Sequence, residues 1–182
     1  MKKFIFLLFL FGCGAIEPKS AKIVLLTPPS VPKELAYIVA TYLEEAKNYG
    51  LDNTTYYAIT EIKWGNAEAI AKQVGVVGVC EPGYERVDDS EGGYWKRRIT
   101  IDERLKDYRV LKAVVYHELG HCVHNAQHSA DDENIMYPLV SSKFVASEGR
   151  WAYYKNKMFD YIKNGGQTYG SLTYCLDNQG DL

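Results

Sequence analysis

Histidine is scarce in this sequence: there are four, all between positions 117 and 128. A chain otherwise free of imidazole has gathered all of it into one short stretch, so its chemistry is sought there. Basic excess is also missing. Lys and Arg number 21 against 23 Asp and Glu, for a net charge of −2, which argues against a phosphate-backbone binder; no nucleic-acid partner is expected. No apolar run reaches the roughly 20 residues that span a bilayer. No internal repeat or low-complexity tract is visible. What is present is 182 residues, 47% hydrophobic and 24% charged, the composition of one globular domain with a tail. Tyrosine is abundant, at 15, and suits both β-faces and wet clefts.

The first residues read as a targeting segment. Lys2 and Lys3 precede an unbroken apolar run over residues 4–11, followed by Gly12, Cys13, Gly14 and Ala15. The run is too short to span a membrane and has the form of a secretory signal. Leu10, Phe11, Gly12 and Cys13 resemble a bacterial lipobox. That resemblance implies cleavage before Cys13, acylation of its thiol, and a lipid-anchored protein on the outer membrane or cell surface. The expected layout is a signal peptide over 1–12, a lipidated tether over 13–21, a catalytic domain over 22–166 and a tail over 167–182. An oxidising compartment permits one disulfide among Cys80, Cys122 and Cys175, and all three pairings stay open.

Along the chain, residues 22–26 read as a strand. Ser30 and Pro32 open a helix whose stripe is Leu35, Ile38, Val39, Tyr42, Leu43 and Ala46, and Gly50 ends it. Residues 56–64 read as a strand, and residues 67–72 fit a helical turn or a strand equally. Residues 76–80 read as a strand closed by Pro82 and Gly83, and residues 85–93 as a polar loop. Residues 97–102 read as a half-buried strand. A helix begins near Asp107 and carries the histidines. Ser147 and Glu148 open a last helix, which Gly165 and Gly166 stop. This order predicts an α+β (mixed α/β) domain with few helices.

The histidine stretch reads His-Glu-Leu-Gly-His-Cys-Val-His-Asn-Ala-Gln-His over 117–128. On a helix His117 and His121 lie one turn apart on one face, so both imidazoles reach one metal. Glu118 lies about 100° round the helix, beside the metal without ligating it. Hydrolysis needs that division of roles. Three neutral nitrogens leave zinc an open fourth position and bring the pKa of water there to about 7, and a carboxylate moves the proton.

Downstream, Met136 is followed directly by Tyr137 and Pro138. Over residues 117–138 the sequence resembles the metzincin metallopeptidases, and within them the matrixin-like group. The resemblance implies a zinc endopeptidase that acts on protein or peptide substrates and works as a monomer. Its domain is a metzincin-like zincin with a twisted, mostly parallel sheet, an antiparallel edge strand, an active-site helix and a C-terminal helix. It makes His117, His121 and His128 the zinc ligands, Glu118 the catalytic acid/base, and Met136 a structural floor beneath them. The family spacing HExxHxxGxxH puts its third ligand at Gln127. A shift of one residue restores the pattern, with Asn125 standing for the glycine. Asn is the next-best residue for the left-handed turn that ends such a helix, which is expected to run to His124. His124 itself lies about 10.5 Å along the axis from His117, too far to share a tetrahedral site.

The other residues are read more plainly. Cys122 is a buried apolar residue or half of a disulfide. Residues 76–80 are the candidate substrate-pairing edge. Lys96, Arg97 and Arg98 form a solvated strand end, and Asp131, Asp132 and Glu133 a solvated acidic loop in preference to a calcium site. Tyr137 is not a ligand. The rival to the peptidase is a non-catalytic zinc-binding or peptide-binding lipoprotein on a decayed peptidase scaffold, which has no need of Glu118.

Overall fold

In the computed structural model, residues 28–86, 93–139 and 148–166 are described. Cys13, the expected first strand at 22–26, Ser147, Cys175 and the tail over 167–182 lie outside them. The chain begins with helix α1, Lys33–Asn48, then a 3-10 turn, Thr54–Ala58, and strand β1, Ile59–Gly65. A short helix α2, Ala67–Ala71, leads to strands β2, Gly78–Arg86, and β3, Gly93–Asp102. Helix α3, Tyr108–His124, and helix α4, Glu148–Lys163, complete it. The class is α+β with a three-stranded mixed sheet in the order β1-β3-β2. β1 runs parallel to β3, and β2 runs antiparallel to β3 at the edge. One pairing of each kind is therefore present among the described residues. Ser30 adds a parallel bridge to Glu61 on the outer side of β1.

Local chemistry accounts for most boundaries. Pro32 caps α1, whose buried residues Leu35, Ile38, Val39, Tyr42 and Ala46 form the expected stripe. Burying each large one contributes about 1.5–3 kcal/mol. Asp107 caps α3 by accepting the Arg109 and Val110 amides. α1 packs against α3, where the Tyr42 ring meets Tyr116 edge-on at 5.0 Å and Phe159 of α4 at 5.7 Å.

Several boundaries depart from the sequence reading or settle what it left open. β2 begins at Gly78 instead of residue 76, and β3 begins at Gly93 instead of residue 97, at the end of the expected polar loop. The strand expected from residue 56 begins at Ile59, because the Asp52 carboxylate accepts both the Thr54 amide and its hydroxyl and winds the chain first into the 3-10 turn. Residues 67–72 resolve as helix: Asn66 Oδ1 accepts the Ala69 amide at 2.9 Å. The strand expected to close at Pro82 continues to Arg86, opposite Gly93. Proline removes one ladder donor, which an edge strand tolerates.

Candidate metal centre

α3 carries the first two candidate ligands, and the loop after it carries the third. α3 ends at His124, and Asn125 takes φ 53° and ψ 29°, the left-handed turn expected there. The chain then reverses and brings His128 back against the helix. One nitrogen from each of His117, His121 and His128 lies within 4.8 Å of the other two. His117 Nε2 sits 3.0 Å from His121 Nε2 and 3.2 Å from His128 Nε2. His121 is buried; His117 and His128 are half-buried, so the cluster reaches solvent on their side.

Backbone carbonyls fix the two helical rings. His117 Nδ1 lies 2.7 Å from Ile135 O, and His121 Nδ1 lies 2.6 Å from Ala126 O. A carbonyl only accepts, so each Nδ1 carries the proton and each Nε2 is left with a lone pair. Two such lone pairs 3.0 Å apart repel unless a cation lies between them. Tetrahedral zinc, with nitrogens at about 2.0–2.1 Å, holds its ligands roughly 3.3 Å apart. The donor set, tautomers and spacing therefore fit zinc. Carbonyls placed in this way orient the rings of metal-bound histidines.

Met136 is fully buried beneath α3. A Cβ at Gly120 would fall 2.5 Å from Met136 Sδ and 2.7 Å from Met158 Cε, so glycine is what allows this turn to pack under the two histidines. The Met136 amide donates to Asn134 Oδ1, and the Met136 carbonyl accepts the Ser129 amide. The turn thus holds His117 through Ile135 and the His128 loop through Ser129.

Glu118 is buried beside the cluster, and its carboxylate accepts the Cys80 amide of β2. Desolvation raises its pKa to about 8 despite that hydrogen bond; a bound cation nearby acts in the opposite direction. Gly78 on β2 leaves room for this side chain, since a Cβ there would lie 2.6 Å from Glu118 Oε1. Of the three disulfide pairings, the structure contains Cys80–Cys122, with Cα atoms 5.7 Å apart. It ties β2 to α3 one turn beyond Glu118.

His124 does not join the cluster. It is buried against the Tyr42 ring, 5.9 Å between centroids, and its Nε2 has no hydrogen-bond partner among the described residues. The reading of residues 96–98 as a solvated strand end is corrected: Arg97 is only 6% exposed. Its guanidinium reaches the α3 terminus instead of water, because strand alternation turns it inward under that helix. The acidic loop also has a partner. Lys157 Nζ of α4 lies 2.7 Å from Asp131 Oδ2 and 3.0 Å from Glu133 Oε2, so an ammonium already stands between these carboxylates. Sequence reasoning missed Gly78, Gly120, Arg97 and the Ile135 and Ala126 carbonyls. Only Gly120 carried a signal, as a helix-interior glycine between two ligands.

The buried imidazoles give the metal-free protein a definite pH response. Burial lowers His117 and His124 to about 4, His121 well below its usual value, and His128 below it as well. Unfolded histidine titrates near 6.5. Between about 6.5 and 4 the unfolded chain therefore binds protons that the folded chain refuses, and stability falls with decreasing pH. Glu118, raised, acts oppositely between about 8 and 4.5 but is one group against four. Urea denaturation of chelator-treated protein should show greatest stability near pH 6.5. Below that, each such histidine contributes a decline of up to about 1.4 kcal/mol per pH unit.

Comparison of the chain with protein-family models, with curated proteins and with solved structures found no match.

Proposed function

We propose that the chain is a zinc-dependent endopeptidase of metzincin, matrixin-like type, exported and anchored by lipid on Cys13. The observation that carries this reading is the convergence of three imidazole nitrogens, two with their tautomers set by backbone carbonyls, beside a buried carboxylate that is not one of them. His117, His121 and His128 would hold zinc. Bound there, zinc supplies Lewis acidity toward the scissile carbonyl and acidifies water. Glu118 accepts the proton of the attacking water and delivers it to the leaving amine. The Cys80 amide holds that carboxylate in place, and the Cys80–Cys122 disulfide keeps β2 at fixed distance from α3.

The fold supports the same reading. β2 is the antiparallel edge strand beside Glu118, the position from which an extended peptide adds by backbone pairing. Met136 forms a floor under the ligands, as the family resemblance implies. A disulfide favours an oxidising compartment, in keeping with the signal-like residues 1–12. No helix among the described residues is long and apolar enough to cross a membrane.

The test is cleavage of a diverse peptide library by the purified protein. Internal cleavage that stops on chelation and returns with zinc is the expected result. Stoichiometric zinc with no cleavage of any peptide would favour the non-catalytic binder.

A further inference from the structure

The last hydrogen bonds of α3 are rerouted. A helix continuing past His124 would give the Ala126 amide to the Cys122 carbonyl, four residues back. Here Asn125 is left-handed, and the Ala126 amide donates to Gly120 O at 3.1 Å. The Gln127 amide leaves the helix altogether and donates to Gly166 O. The Cys122 carbonyl is taken up from another element: Arg97 of β3 donates to it through Nη1. The same guanidinium donates through Nη2 to Asn125 Oδ1 at 2.6 Å. One planar fork therefore spans a terminal carbonyl of α3 and the side chain of the residue that makes the turn. A cation is well placed here, since a helix C-terminus carries partial negative charge.

The residues just past the turn belong to the metal centre. The next carbonyl, Ala126 O, accepts the His121 Nδ1 proton at 2.6 Å and so sets that ring's tautomer and orientation. Two residues further on is His128. A drift of the turn would rotate one ligand and displace another. We propose that Arg97 is a positioning residue for the metal centre: by gripping Cys122 O and Asn125 Oδ1 it fixes the turn that orients His121 and delivers His128. This inference rests on the metal-site reading above. It assigns the arginine a role that a generic strand–helix strut does not have, because its second acceptor is the turn residue itself. Lysine at this position offers one nitrogen on a flexible stem in place of the rigid planar fork, so it cannot reproduce the two separate Nη contacts.

The experiment measures zinc affinity by chelator competition and the visible spectrum of the cobalt-loaded protein. The proteins are wild type, Arg97→Lys and Arg97→Met, each with Asn125 and with Asn125→Gly, and circular dichroism confirms folding. Arg97→Met should weaken zinc binding by about 10–100-fold, the usual effect of losing a group that supports a metal ligand, and should alter the cobalt bands. Arg97→Lys should fall between it and wild type. If Arg97→Met does not fold, Arg97→Lys carries the comparison. With Asn125→Gly in place, Arg97→Lys should cost clearly less than it does beside Asn125, because one acceptor is gone. A folded Arg97→Lys protein with wild-type zinc affinity and cobalt spectrum overturns the proposal, whatever its melting temperature, since that is how a purely stabilising strut behaves. A wild-type protein that binds no zinc overturns the metal-site reading itself and the proposal with it, and is recognised without any variant.

Discussion

His128→Ala is expected to strip the protein of zinc while His124→Ala leaves one zinc per chain, and the pair discriminates between two histidines that a helical wheel ranks the other way. His124 shares a helical face with His117 and His121 but lies beyond the end of their cluster, against Tyr42. His128 is three residues past the left-handed Asn125, and its Nε2 stands 3.2 Å from that of His117. Removing it leaves two nitrogens, one short of the three protein ligands that a catalytic zinc site uses. The loss should exceed the 10–100-fold typical of changes to groups that only support a ligand. His124→Ala opens a cavity but also removes a buried nitrogen without a hydrogen-bond partner among the described residues. These terms oppose each other, so the variant should remain folded. Metal analysis after gel filtration reads both outcomes. Zinc lost with His124 and kept without His128 would reverse the ligand assignment.

Glu118→Ala should abolish peptide hydrolysis and keep zinc. Its carboxylate is outside the three-nitrogen group, so the metal has no direct reason to leave. Loss of a general acid/base typically costs about 10²–10⁴ in rate. Gly78→Ala tests the same step from the strand side. The new methyl would lie 2.6 Å from Glu118 Oε1, 2.8 Å from its Cγ and 2.7 Å from Val114 Cγ1. The carboxylate has to shift, and misplacement by about 1 Å can cost 10²-fold. A drop in kcat of at least about tenfold with zinc intact is expected for Gly78→Ala. Near wild-type turnover by Glu118→Ala would remove this residue from the mechanism.

The three long helices of this structure were legible because they are written locally. The stripe of α1, the Asp107 cap and the left-handed Asn125 all follow from residues within a turn or two of one another. The three-histidine set was legible for the same reason, once the helix was allowed one more residue. What escaped is non-local. Arg97 sits between Lys96 and Arg98 and reads as solvated, because nothing in the sequence says that its strand runs beneath the α3 terminus. Pro82 reads as a turn, because its tolerance depends on β2 being an edge. The pairing of Cys80 with Cys122 depends on the strand–helix distance, to which spacing is blind. The carbonyls of Ile135 and Ala126 belong to the backbone and leave no trace in residue type, yet they fix the tautomers on which the metal reading stands.

X-ray absorption at the zinc edge of the loaded protein tests that reading most directly. Three imidazole nitrogens at about 2.0–2.1 Å with one further light ligand are predicted, the signature of an open catalytic site. A sulfur shell near 2.3 Å, or four histidine-like ligands closing the site, would contradict it.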